Sequence, residues 1–203
     1  MGTILLRLLL AALLLLQGAC SSPPTLAPLP PDAVVLAFGD SLTVGKGARP
    51  EQSYPAVLAQ LIGRNVINAG VSGEVSAAGL ARLPELLATY HPRLVILCHG
   101  GNDLLRQRGQ QQLADNLRGM VKLARDAGAE VLLVGVPKPA LLLSVPALYA
   151  DVAEELKVPL EKSALVRLED DDRFKSDPIH LNAAGYRQLA EAVQAALAKA
   201  GAL

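Results

Sequence analysis

A serine just past a strand-ending glycine, and a histidine with an acid three residues ahead of it, are parts from which acyl-transfer chemistry is built. This chain carries both. Gly39-Asp40-Ser41-Leu42 follows the apolar run Val34–Phe38, and Asp177-Pro178-Ile179-His180 stands just before the last helical pattern. A serine hydroxyl at its free pKa is a poor nucleophile and needs an adjacent base. An aspartate at −3 can bond the histidine ring across a turn, fix its tautomer and stabilise the imidazolium that forms when the ring takes a proton. Taken singly, each motif has an ordinary reading: Ser41 as a helix N-cap after a turn, and Asp-x-x-His as a chance spacing.

Two further polar clusters sit where an apolar run stops. Asn68-Ala69-Gly70-Val71-Ser72-Gly73 follows the short run at Val66-Ile67, and Gly100-Gly101-Asn102-Asp103 follows Leu94–Cys98. Asn, Asp and Gly are also ordinary turn residues. Asp40 and Asp103, acids in loops, are expected to brace those turns. His99 reads as a strand residue satisfied by its neighbours, and His91, ahead of Pro92, as solvent-exposed. Tyr54, Tyr90, Tyr149 and Tyr186 read as packing residues. The apolar stretch Ala140–Leu148 could line an acyl pocket or belong to a helix core.

Other chemistries fit poorly. Gly39 to Gly47 looks like a phosphate-binding loop, but five residues separate Gly39 from Gly45, and Lys46 is followed by Gly47 rather than Ser or Thr. Three scattered histidines without a Cys/His cluster give no metal-ligand spacing. Nothing implies a cofactor. Nineteen Lys plus Arg balance nineteen Asp plus Glu, and aromatics make up only 3% of residues, so neither a basic footprint nor a stacking platform for nucleic acid is present.

The elements that must position these residues alternate between short apolar runs and helical patterns. Strands are expected at 34–38, 66–68, 94–98, 131–136 and, as a short edge, 158–160; helices at 53–63, 77–90, 110–127, 146–157 and 183–200. In the last helix Leu189, Val193, Ala196, Leu197 and Ala200 form one stripe, and Asn182 is a plausible N-cap. Alternation of this kind gives an α/β fold, a mostly parallel sheet with helices on both faces. Ligands of such sheets bind beyond the C-terminal strand ends, where the polar clusters fall.

In this order, Gly39-Asp40-Ser41-Leu42, Gly73, Gly100-Gly101-Asn102-Asp103 and Asp177-Pro178-Ile179-His180 resemble the blocks of the SGNH hydrolases, also called the GDSL family. The stretch Asn68–Asp103, with Gly79-Leu80-Ala81-Arg82-Leu83-Pro84, is most similar to the bacterial thioesterase I, lysophospholipase and arylesterase branch. The likeness covers nearly all of residues 34–200. It implies a flavodoxin-like three-layer α/β/α sandwich with a five-stranded sheet. It also implies Ser41 as nucleophile, His180 as base and then acid, and Asp177 as the group that orients His180. The backbone N–H groups of Ser41 and Gly73 and the side chain of Asn102 would form an oxyanion hole. The substrate implied is a small-molecule acyl ester or thioester. An acetylated carbohydrate, or a non-catalytic binding or scaffolding role on the same fold, are the alternatives.

The N-terminus reads as an address. One positive charge in Met1–Arg7 precedes the apolar run Leu8–Leu16, too short to span a bilayer and fitting a signal peptide over residues 1–19. Gly18-Ala19-Cys20 resembles the junction of bacterial lipoproteins, with Gln17 where Leu is usual, which implies a lipidated Cys20, export and membrane attachment. Residues 21–31 hold five prolines and are expected to form an extended tether. Residues 32–203 are then one domain, expected to act as a monomer, with Cys98 a buried, inert thiol.

Overall fold

Val34–Gly39 (β1) is buried along almost its whole length because strands pair with it on both edges and helices cover both faces. To one side lies β2 (Asn65–Gly70), to the other β3 (Leu94–Cys98), β4 (Glu130–Val134) and the two-residue β5 (Leu160–Glu161). All pair in parallel, in the order β2-β1-β3-β4-β5. The chain therefore reverses its winding between β1 and β3, and their C-terminal ends, Gly39 opposite Cys98, border the crevice that such a switch creates. The computed structural model describes residues 23–140 and 142–203. The expected signal peptide and Cys20 lie outside the described residues.

The strand-following segments include α1 (Ser41–Val44), α2 (Tyr54–Ile62), α3 (Ser76–Tyr90), α4 (Gly101–Leu105) and α5 (Gln110–Asp126). Then come α6 (Ala147–Leu156), α7 (Ala164–Glu169) and the C-terminal α8 (Ala183–Ala200). One layer packs α2 and α7 against α8, and the other packs α3 and α6 against α5. Asn182 caps α8 as expected, its Oδ1 accepting the Gly185 amide at 3.0 Å. Five helices match the sequence reading within a residue or two. The short helix read at Ser41 is α1, capped by Asp40 rather than by Ser41 itself. The helices α4 and α7 were not expected, because at five and six residues they carry no resolvable period.

Three strand expectations need correction. The second strand runs over Asn65–Gly70 rather than 66–68, so Ala69 and Gly70 belong to it and not to the loop. The fourth strand ends at Val134 rather than residue 136, and the edge strand is Leu160–Glu161, one step beyond the expected 158–160. Pro159 has no N–H, yet its carbonyl accepts from Leu133 at 2.9 Å, so it borders the ladder rather than extending it.

The proline-rich segment is not a free spacer over its described part. Leu26 and Leu29 are buried, and their amides donate to Ala200 and Ala202 carbonyls at 2.8 and 2.9 Å. Arg64 Nη2 adds a bond to the Leu29 carbonyl at 3.1 Å. In an extended chain of three residues per turn, positions three apart share one side, so both leucines can face the domain while the prolines stay outside. The segment runs beside Arg93 and Glu130, at the N-terminal ends of β3 and β4. That is the end of the sheet opposite Ser41.

Candidate active site

Ser41 is set by a backbone crossing. At Gly39 a Cβ would run into the Cys98 carbonyl oxygen and the Thr43 hydroxyl, so only glycine lets β1 close this tightly on the end of β3. Asp40 then caps α1, its buried carboxylate accepting the Leu42 amide at 3.1 Å. Ser41 is thereby turned into the crevice, which Leu42, Asn102, Val136, Ile179 and His180 also line.

His180 comes from the far end of the chain, on a turn pinned at several points. Lys175 and Leu181 form an antiparallel bridge, and the Ser176 amide donates to the His180 carbonyl at 2.9 Å. Asn182 Nδ2 adds a bond to the Lys175 carbonyl at 3.2 Å. Inside the turn, Asp177 Oδ1 accepts the amides of Ile179 and His180 at 3.0 and 2.9 Å. Asp177 Oδ2 lies 2.7 Å from His180 Nδ1, and His180 Nε2 lies 3.0 Å from Ser41 Oγ. Burial pushes the Asp177 carboxyl up, but the Ile179 amide, the His180 ring and the His180 amide outweigh it and hold it below its ordinary value. An ionised carboxylate can only accept, so Nδ1 carries the ring hydrogen and Nε2 offers its lone pair to the serine hydroxyl. Such a line of groups can take a proton from Ser41 as its oxygen attacks a carbonyl carbon.

Asn102 enters from α4, beyond β3. Its Nδ2 donates to Asp40 Oδ2 at 3.3 Å. Asp103 braces the same helix from behind, accepting the Ser76 amide at 2.8 Å and its hydroxyl at 2.7 Å. Both aspartates thus act as turn braces. Burial raises the Asp40 carboxyl above its ordinary value, opposed by His99, the Leu42 amide and Asn102. Gly73 stands on the loop after β2, with φ +78° and its carbonyl held by Arg106 Nη2 at 3.1 Å. It is not among the residues that line the crevice. The structure therefore brings Ser41, His180, Asp177 and Asn102 together and ties Gly73 to the end of α4 by one bond.

His99 is fully buried, with Nε2 3.2 Å from Glu74 Oε2. Arg82 grips the same carboxylate at 2.9 and 2.7 Å and lies over the Phe38 ring at 4.5 Å. Burial would raise the Glu74 carboxyl, but His99 and Arg82 bring it down to about 2. The neighbours satisfy only half of the His99 ring, since Nδ1 has no partner among the described residues. His91 is exposed and ends α3 at φ 43°. Tyr54, Tyr149 and Tyr186 are buried packing residues, whereas Tyr90 is exposed.

Among the described residues, the apolar wall of the crevice does not come from 140–148. Leu42, Leu105, Val136, Pro137, Pro139 and Ile179 supply it. Leu142 is 84% exposed and Leu148 and Tyr149 are helix core. Of the charged lining residues one went unread in the sequence, Glu169, hidden in the acidic run Glu169–Asp172 that reads as a solvated face; apolar Leu105 and Pro139 were also unread.

The model of the GDSL-like lipase/acylhydrolase family matches residues 37–188, from β1 to the first turns of α8. The chain belongs to this family. The esterase TesA of Pseudomonas aeruginosa is 39% identical over 144 residues, which cover 68% of this chain and 66% of that protein. Thioesterase 1/protease 1/lysophospholipase L1 of Escherichia coli K12 is 38% identical over 133 residues, covering 62% of this chain and 64% of the other. The matched stretches thus span just under two thirds of either relative. The crystal structure of TesA superposes with a TM-score of 0.74 at 33% identity, over 82% of this chain and 99% of that one. The three-layer sandwich with five parallel strands is therefore the fold of a GDSL family member, as the four blocks imply.

Proposed function

We propose that this GDSL family member is a serine esterase that hydrolyses carboxylic acyl esters or thioesters through an acyl-enzyme. The observation that carries the reading is the 3.0 Å approach of His180 Nε2 to Ser41 Oγ, with Asp177 on the other ring nitrogen. Ser41 Oγ bonds to the substrate's carbonyl carbon while His180 takes the serine proton. The carbonyl oxygen becomes an oxyanion, stabilised by the Asn102 side chain and the Ser41 N–H at the crevice, with the Gly73 N–H on the adjoining loop as the third donor that the family resemblance implies. When the tetrahedral intermediate collapses, the bond to the alcohol or thiol breaks and His180 returns the proton to that leaving group. Water, deprotonated by the same ring, then attacks the acyl-serine, releases the acid and restores Ser41.

The names of the relatives, an esterase and a thioesterase/lysophospholipase, support acyl esters and thioesters over acetylated sugars. The apolar wall with half-exposed Leu105 and Ile179 at its rim suits an acyl chain. A fluorophosphonate probe should label Ser41, and Ser41→Ala should abolish both labelling and turnover of p-nitrophenyl esters. Absence of an adduct on the folded wild-type protein would leave a binding or scaffolding role instead.

Export and lipid attachment at Cys20 complete the proposal. An anchored chain would reach the domain at the end of the sheet opposite Ser41, so the crevice would face away from the membrane. Cys20→Ser should move the protein from the membrane fraction to the soluble one. A wild-type protein found soluble with an unmodified N-terminus would remove the anchor.

A further inference from the structure

Glu169 is an acid in the crevice to which the hydrolytic sequence gives no task. It ends α7, whose Ala164, Leu165 and Leu168 are fully buried. The start of that helix is fixed by Glu161, which accepts the amides of Ser163 and Ala164 at 3.0 Å. Glu169 is thus held as one wall of the crevice that Ser41, Asn102 and His180 line. Among the described residues its carboxyl has no hydrogen-bond partner, and the nearby cation, Lys175, is paired to Asp172 at 2.8 Å. Lys175 also stands at the foot of the bridged turn that carries Asp177 and His180. Glu169 and His180 line the same crevice, so a leaving group that takes its proton from His180 can lie against Glu169. Burial and the charge of Asp40 push its carboxyl up to about 8, against the pull of Lys175, so near neutral pH it is mostly an uncharged group that both donates and accepts.

A plain alkyl group laid over such a carboxyl takes its water away and gives nothing back. A hydroxyl replaces that water. We propose that Glu169 selects the leaving group: it hydrogen-bonds a hydroxyl carried by the alcohol half of the substrate beside the scissile bond. Esters of hydroxylated alcohols are then favoured over esters of plain alkanols of the same size. The assignment rests on the esterase reading above and deepens it.

The test compares kcat/KM for 2-hydroxyethyl butyrate and propyl butyrate, which share acyl group and length and differ in one terminal OH or CH₃. The ratio between the two cancels intrinsic effects common to all variants, such as a general loss of packing. It should fall about tenfold in Glu169→Leu, the scale of one net hydrogen bond. Glu169→Gln, which keeps a donor and an acceptor, should hold it within about threefold of wild type. Glu169→Asp, one methylene shorter, should lower it in the same direction as Leu and carries the test if the leucine variant does not fold. A ratio that neither Leu nor Asp changes, with both esters turned over, overturns the assignment alone. Wild-type protein that hydrolyses neither ester overturns the esterase reading and the assignment with it.

Discussion

Asn102 Nδ2 lies 3.3 Å from Asp40 Oδ2, so the residue just before Ser41 holds the amide that faces the same crevice. One hydrogen of that NH₂ is committed to Asp40, which leaves the other to point toward an oxyanion. The Asn102 amide and the backbone at Ser41 are thus set by one carboxylate, itself fixed by the Leu42 amide.

Asn102→Ala should therefore lower kcat roughly 10²–10³-fold with little change in KM, because the bond is made mainly in the transition state. Asp40→Ala should lower kcat in the same direction by a smaller factor, since Asn102 stays present but loses its hold. Steady-state kinetics on a p-nitrophenyl ester checks both. A raised KM at constant kcat in Asn102→Ala would mean that the amide binds substrate and not the oxyanion.

The three histidines should rank sharply. His180→Ala should remove nearly all turnover and slow the labelling of Ser41, since among the described residues His180 is the base that bonds the hydroxyl. His99 is fully buried and bonded to Glu74, so His99→Ala should cost stability while keeping at least a tenth of wild-type activity, about 1.4 kcal/mol in barrier terms. His91, exposed beyond α3, should be silent. The opposite order of His180 and His99, in variants with wild-type circular dichroism, would leave Ser41 without its base.

The parts legible in the sequence are those that local chemistry fixes. Asp177 and His180 share one turn, and Ser41 and Asn102 each follow a buried strand, so sheet topology alone brings them to one crevice. Glu169 was not legible because its neighbours are acids, and only the packing of α7 shows which of them turns inward. Leu26 and Leu29 were not legible because the five prolines around them dominate the composition. Of the two readings of the apolar stretch at 140–148, helix core holds for Leu148, while Leu142 is left outside and two prolines, Pro137 and Pro139, line the crevice.

Glu169 should also leave a mark on stability. Its carboxyl is raised from 4.5 to about 8 in the folded protein, so between those values the folded state holds a proton that the unfolded chain has released. Stability from this group is therefore greatest below about pH 4.5 and falls as pH rises toward 8, above which the loss is complete. Glu169→Gln cannot ionise. Its melting temperature should exceed that of wild type at pH 8–9, and the gap should close toward pH 5. A gap independent of pH would show that Glu169 titrates normally.

The docked N-terminal segment gives the last prediction. Leu26 and Leu29 bury apolar surface, and their amides bond to the Ala200 and Ala202 carbonyls at the end of α8, which such a terminus otherwise leaves to water. Burying a leucine side chain stabilises by roughly 1.5–3 kcal/mol, and a domain of this size shifts its melting temperature by about 2–4 °C per kcal/mol. A protein starting at Pro23 should thus melt near the full-length value, whereas one starting at Asp32 should melt several degrees lower, as should Leu26→Ser/Leu29→Ser. The contacts lie at the end of the sheet opposite Ser41, so all three proteins should keep wild-type kcat at 25 °C. Equal melting of the two truncations would show that the leucines only rest on the domain. A loss of kcat in the folded double variant would show instead that the N-terminal segment and the crevice are coupled through the sheet.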